Sequence, residues 1–303
     1  MAIIPPYLKK GSRIGITCPA GYMPTENAQT CIHTLQSWGY EVMVGRTLGS
    51  HSDNYFSGSD EERLEELQAM LDEPSIDAIL FGRGGYGLSR IIDRIDFKKF
   101  RKKPKWLIGF SDITVIHAHV WGRYGICTLH APMAAAFQDG HGKNSNVDTL
   151  RKALSGKALQ YQCQQHPLNR TGKAEGVLVG GNLALLAHLV GTASELNTKG
   201  KILFLEDVGE YIYQVDRMML QLKRTGALQK LAALVIGGFT DMKDTTRPFG
   251  STVEEAIAEM VSEYDYPVCF GFPISHGKEN VSVKTGVTHQ LQVSKNKTSL
   301  KEL

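Results

Sequence analysis

The chain has 303 residues, 42% of them hydrophobic and 21% charged, with a formal net charge of +3. That length suffices for one large or two ordinary domains with proper cores. The near-balanced charge argues against nucleic acid or an anionic membrane as a partner, and no segment approaches the roughly 18 apolar residues that span a bilayer.

The opening "MAIIPPYLKKGSRIGIT" places its charges after a very short apolar run, the reverse of a signal peptide. Cysteines 18, 31, 127, 163 and 269 are odd in number, scattered and without CxxC spacing. This pattern argues against a disulfide framework or a zinc ribbon, and a reducing, cytoplasmic setting is expected.

In chain order, "GSRIGITC" (11–18) reads as a strand, followed by a helix over about 27–38 and a second strand, "YEVMVG". Ser59 reads as the N-cap of a helix over 59–73 that sets Leu64, Leu67 and Leu71 on one face. "IDAILFG" is a third strand, and a glycine-rich turn leads into the helical "GLSRIIDRI". The basic cluster Lys98, Lys99, Arg101, Lys102, Lys103 and Lys105 reads as a solvated connection, without interleaved aromatics to stack on bases. "KWLIGF", the helix "DITVIHAHVWGRYG" and the strand "ICTLHAPM" complete a pattern of alternating strands and helices. Such alternation means an α/β domain with an open parallel sheet and helices on both faces, here over residues 1–135.

Residues 136–172 lose that rhythm: a loop, "FQDGHGKNSN", a short helix and a polar stretch, "QYQCQQHPLNRTGK", read as a linker. Residues 173–303 read as a second α/β domain, richer in strand toward its end. Its elements are "AEGVLVGGN", the helix "LALLAHLVG", "KILFLED", the helix "YQVDRMMLQLKRTG", "ALVIGGF", a helix over 252–263, "PVCFGF" and "SVKTGVTHQL".

Three stretches could carry chemistry. "GRGGYG" (82–87) satisfies G-x-G-x-x-G between a strand and a helix, as a dinucleotide site would. It follows the third strand, however, lacks a suitable acidic ribose ligand, and has no Gly-Lys-Ser/Thr ending. Its glycines equally suit backbone N–H groups approaching a small ligand. In "GFSDIT", Ser111 follows an apolar strand and is either a helix N-cap or a nucleophile on a tight strand-to-helix turn. The N–H of Asp112 there could stabilise an oxyanion. Ile113 departs from G-x-S-x-G, so the α/β-hydrolase fold is not implied.

A serine nucleophile needs a base. "ILFLEDVGE" offers Glu206 and Asp207 at a strand end, and spacing alone does not choose between them. "GFPISHGKEN" holds His276 in a Gly- and Pro-bounded loop. His117, His119 and His130 invite a metal reading, but helical positions i and i+2 point roughly 200° apart. No H-E-x-x-H or cysteine pair completes a site, so neither metal nor cofactor is expected.

With Ser111, Glu206 and His276 in that order, the chain resembles the LD-carboxypeptidase (muramoyl-tetrapeptide carboxypeptidase) family of serine peptidases, which also holds the microcin C self-immunity proteins. The matching motifs are "GRGGYG", "IGFSDIT", "LHAPM", "GGNL", "FLEDVGE", "DRMMLQL" and "PISHG", ordered over about residues 10–290. The resemblance implies a Ser111–Glu206–His276 triad, which selects Glu206 over Asp207, and an oxyanion hole from the amides of Gly85 and Asp112. It also implies a flavodoxin-like N-terminal domain, a C-terminal domain rich in β-structure, and a homodimer. The implied reaction is metal-free release of the terminal D-alanine from murein tetrapeptides during peptidoglycan recycling. Arg83 is a candidate partner for the substrate carboxylate, and Gly84 beside it is a second candidate substrate-binding residue. Two alternatives are carried: cleavage of a microcin C-like aminoacyl-nucleotide, and a non-catalytic nucleotide-binding protein resting on "GRGGYG".

Overall fold

Strands that are apolar at nearly every position can be satisfied only by cover on both faces. In the first sheet β3 (Ala78–Phe81) and β4 (Trp106–Gly109) are such strands, and β1 (Arg13–Thr17) and β5 (Thr128–His130), which carry polar residues as well, are almost wholly buried beside them. The part-exposed β2 (Glu41–Val44) takes an edge. Between them run α1 (Gln29–Ser37), α2 (Asp60–Asp72), the single turn α3 (Leu88–Ile91), α4 (Lys98–Lys102) and α5 (Thr114–Tyr124), with α6 (Ser145–Leu154) after β5. The computed structural model describes residues 2–50, 52–138 and 144–303. In it the strands lie in the order β5-β4-β3-β1-β2, all in parallel. This is the flavodoxin-like order.

The second sheet is formed by β6 (Gln160–Cys163), β7 (Gly172–Asn182), β8 (Ile202–Val208), β9 (Ala233–Thr240), β10 (Val268–Cys269), β12 (Thr288–Val293) and β13 (Thr298–Glu302). Helices α7 (Leu183–His188), α8 (Ile212–Arg224) and α9 (Val253–Met260) connect its strands. The order is β10-β9-β8-β7-β12-β13-β6, parallel from β10 to β7 and antiparallel from there to β6. The remaining strand, β11 (Val283–Thr285), returns to the first sheet beside β5. "SVKTGVTHQL" is therefore two strands, broken at Gly286, whose φ is +87°.

By contacts the chain forms two units, residues 1–157 with 281–284 and residues 158–280 with 285–303. The expected linker 136–172 is thus divided between them. Its helix α6 buries Val147, Leu150, Ala153 and Leu154 in the first unit. Its polar "QYQC" is edge strand β6, whose alternating exposure lets polar letters spell a strand. The loop expected at 137–146 lies partly outside the described residues; of the rest, Phe137 and Gln138 close a 3₁₀ turn and Asn144 caps α6.

Ser59 caps α2 as expected, through a capping box with Glu62. The buried face of α2 differs from the apolar pattern: Arg63 and Glu66 are buried while Leu64 is half-buried. The basic stretch is also not wholly solvated. Lys105 is buried and its Nζ donates to the carbonyls of Met70 (2.9 Å) and Glu73 (2.6 Å), at the end of α2.

Candidate active site

In the first unit, β4 ends at Gly109 and the chain turns sharply before α5. Ser111 occupies the turn with a φ of +62°, in the left-handed region that costs a residue with a Cβ about 1–2 kcal/mol. Asp241 is the other non-glycine residue there among those described. The Ser111 side chain caps neither the 3₁₀ turn 111–113 nor α5. A strained hydroxyl at a parallel strand's carboxyl end, without a capping task, has the geometry of a held nucleophile.

The glycine-rich loop after β3 closes on this turn. A Cβ at residue 84 would lie 2.9 Å from Ser111 Cβ, 3.1 Å from Ser111 Oγ and 3.3 Å from Asp112 N. Only glycine permits that approach, which accounts for Gly84 in "GRGGYG" without a dinucleotide. Gly85 follows with a φ of +99°. The Asp112 carboxylate is buried and accepts from Leu88 N at 2.8 Å, tying the loop's exit to the serine turn. Burial pushes the Asp112 carboxyl up to about 6. From α2, the buried Arg63 donates to the carbonyls of Pro19 (2.6 Å) and Gly87 (3.2 Å), bracing the same loop. The exposed Arg83 donates to the Tyr22 carbonyl at 2.8 Å.

These distances carry a prediction. Gly84→Ala should lower kcat by about 100-fold, because the clash displaces Ser111 and misplacement of about 1 Å costs that much. Paired activity and thermal-melting measurements check it. A drop in Tm with normal kcat would show that the contact serves only packing.

In the second unit, Glu206 lies at the end of β8 with no solvent exposure, and its Oε2 is 2.6 Å from His276 Nδ1. A carboxylate can only accept, so Nδ1 carries the hydrogen and Nε2 is left as the basic nitrogen. The His276 side chain keeps 17% of its surface exposed. Asp207 is also buried but committed elsewhere: it accepts from Asn182 Nδ2 (2.7 Å), Ala184 N (2.9 Å) and Val208 N (2.8 Å). Burial pushes the Asp207 carboxyl up to about 6. The two neighbouring acids point to different partners, Glu206 to the histidine and Asp207 to the Asn182 side chain and two backbone amides.

A glycine pair that drew no attention in the sequence positions His276. A Cβ at residue 237 would stand 2.2 Å from the Ile274 carbonyl oxygen and 3.3 Å from Glu206 Cβ. The bare backbone lets 272–275 run along β9, where Phe272 N donates to Ile236 O (3.0 Å) and Gly238 N to Ile274 O (2.8 Å). Ser275 Oγ then accepts from Gly277 N (3.0 Å) and donates to Glu279 O (2.8 Å), fixing the loop on both sides of the histidine.

The structure therefore brings Glu206 and His276 together in one unit, and Ser111, Asp112 and Gly84 together in the other; Arg83 and Gly85 flank Gly84 in its loop but face Tyr22 and Tyr55. His117 Nε2 lies 2.9 Å from the Gly109 carbonyl, and His119 stacks on Phe97 at 5.1 Å, both packing roles. Among the described residues no group of three or more His, Cys, Asp or Glu could hold a metal. Among them, too, no helix is long and apolar enough to cross a membrane.

Two family descriptions match the chain: LD-carboxypeptidase N-terminal domain over residues 14–131, and LD-carboxypeptidase C-terminal domain over 175–291. A protein of Bacillus subtilis (strain 168) named probable murein peptide carboxypeptidase is 33% identical over 287 residues, covering 93% of this chain and 89% of that one. The murein tetrapeptide carboxypeptidase of Pseudomonas aeruginosa is 29% identical over 290 residues, 92% and 93% of the two chains. The crystal structure of muramoyltetrapeptide carboxypeptidase from Oxalobacter formigenes matches with a TM-score of 0.86 at 30% identity, covering 96% of this chain and 98% of that one. The microcin C7 self-immunity protein MccF, in complex with aspartyl sulfamoyl adenosine, matches at 0.85 over 99% of both chains. Its 22% identity shows a shared fold alone.

Proposed function

The chain belongs to the LD-carboxypeptidase family, and from that premise we propose a serine carboxypeptidase that hydrolyses the L,D-peptide bond to the terminal D-alanine of murein tetrapeptides. The observation that carries this reading is the 2.6 Å bond from His276 to a fully buried Glu206, which leaves a basic Nε2. The left-handed turn at Ser111 supports it as the nucleophile.

His276 Nε2 takes the Ser111 Oγ proton as Oγ attacks the scissile carbonyl carbon. Glu206 holds the ring's tautomer and stabilises the imidazolium. The N–H groups of Gly85 and Asp112 stabilise the oxyanion. On collapse, the C–N bond breaks, His276 returns its proton to the departing amine, and D-alanine leaves an ester on Ser111. Water, deprotonated by His276, attacks that ester; as the C–O bond breaks, His276 returns the proton to Ser111 Oγ and the tripeptide leaves. The chemistry needs Ser111 Oγ within hydrogen-bond reach of His276 Nε2. Arg83 would pair with the substrate's terminal carboxylate, in exchange for its bond to Tyr22. Action as a cytoplasmic homodimer on free muropeptides in peptidoglycan recycling, with neither nucleic acid nor membrane as partner, belongs to the same proposal.

The test is D-alanine release from a murein tetrapeptide by the purified protein in the presence of a chelator. Stoichiometric D-alanine and tripeptide are expected. Cleavage of an aminoacyl sulfamoyl nucleotide in place of the tetrapeptide would favour the immunity-type substrate, and nucleotide binding without hydrolysis would defeat both.

A further inference from the structure

The five cysteines are scattered along the sequence, and all are free thiols. Two of them nevertheless meet. Cys163, the last residue of β6, and Cys269, the last of β10, have their sulfurs 3.5 Å apart although 106 residues separate them in the chain. β6 and β10 are the opposite ends of the seven-stranded order. The segment between β6 and β7 joins them further, with Arg170 and Val268 exchanging backbone hydrogen bonds of 3.0 and 3.1 Å. The sulfur pair thus sits where the two edges of the sheet come together.

We infer that Cys163 and Cys269 form an oxidisable dithiol, a modification site that a peroxide converts to a disulfide joining the edges of the second sheet. The inference is independent of the hydrolytic reaction. A cavity of about 480 Å³, lined by Gln162, Cys163, His166, Phe270 and Glu279 among others, admits a small oxidant to Cys163. Contraction from 3.5 Å to a bond of about 2.05 Å needs a shift on the order of 1.5 Å. Because β6 is an edge strand with alternating exposure, it can supply that shift.

The environment separates the two roles. Cys163 is part-exposed and Cys269 is buried. The hydrogen bond between the two sulfurs lowers Cys163 and, with burial, raises Cys269, whose S–H also reaches the Phe270 carbonyl at 3.6 Å. The other three are fully buried, with Cys18 pushed up to about 12 and Cys31 raised by burial. In the reaction, the Cys163 thiolate attacks a peroxide oxygen, the O–O bond breaks, and the departing hydroxide is protonated to water. Cys269 Sγ then attacks the sulfenic sulfur, the S–O bond breaks, and a second water leaves with the remaining proton. Two thiols and one hydrogen peroxide give one disulfide and two waters.

The whole protein should be treated with equimolar hydrogen peroxide, denatured in an alkylating reagent and its thiols counted. The count should fall from five to three, with peptide mapping locating a 163–269 link and dithiothreitol restoring all five. Cys163→Ser, a change at a part-exposed edge position, should show four thiols before and after. The oxidised wild-type chain should also melt several degrees higher than the reduced one. Five surviving thiols, a link between other cysteines, or equal thiol loss in Cys163→Ser would overturn the inference.

Discussion

Ser111→Ala should leave a folded protein that has lost D-alanine release by a factor on the order of 10⁴ to 10⁶. Two physical facts separate the outcomes. The hydroxyl caps no helix, so its removal forfeits none of the 0.5–2 kcal/mol or so that a capping serine contributes. Alanine must enter the same left-handed turn, φ +62°, at a conformational cost close to that of serine. The melting temperature should therefore change little. What vanishes is the hydroxyl proposed to form the ester. Progress curves from milligram amounts of the variant, with circular dichroism melts beside them, decide it; near-normal turnover by folded Ser111→Ala would remove serine from the mechanism.

The second large effect lies in the acidic pair. Glu206→Gln keeps the size of the side chain but loses the charge that steadies the imidazolium, and its amide can set the ring in the wrong tautomer. The equivalent loss in another serine triad costs on the order of 10⁴ in kcat, and a comparable fall is expected. Asp207→Asn should behave differently. Its carboxylate serves Asn182, Ala184 and Val208, so the variant should lose about 1–3 kcal/mol of stability with a far smaller change in kcat. The pH dependence carries the same signature. Because burial raises Asp207 in the folded chain, the stability tied to it is fully present below the carboxyl's ordinary value and is lost as pH rises through about 6. Asp207→Asn should flatten that part of the stability profile, and Glu206→Gln should not. Should Asp207→Asn prove the inactive variant and Glu206→Gln stay active, the histidine's partner has been misassigned.

The architecture was readable because it rests on local patterns. Buried strands spelled as "AILF" and "WLIG", a serine capping box at α2 and a left-handed Gly125 closing α5 are each set by neighbouring residues. Ser111 and His276 stood out for the same reason, as polar residues at strand ends or in glycine-bounded loops. What escaped depends on contacts between distant segments. Gly237 looks like any strand glycine until the Ile274 carbonyl takes the space of its missing Cβ. Arg63 and Glu66 break the apolar face of α2, yet both are buried. Arg63 donates to backbone carbonyls, and Glu66 accepts from Thr17 and Thr47. Strand β6 is polar at every second position because it lies at a sheet edge, so composition reads it as linker. The choice between Glu206 and Asp207 was beyond spacing, since both sit at the same strand end. Family resemblance points to Glu206, and it is Glu206 that lies 2.6 Å from His276 while Asp207 holds Asn182, Ala184 and Val208.

A mechanism-based label reports whether Ser111 carries the acyl group. A tetrapeptide analogue with an electrophilic phosphonate in place of the scissile carbonyl should react once per chain, with turnover lost in step with labelling. Peptide mapping should place the phosphonyl group on Ser111, and Ser111→Ala should stay unlabelled. Undiminished turnover without a label, or a label that persists in Ser111→Ala, would contradict it.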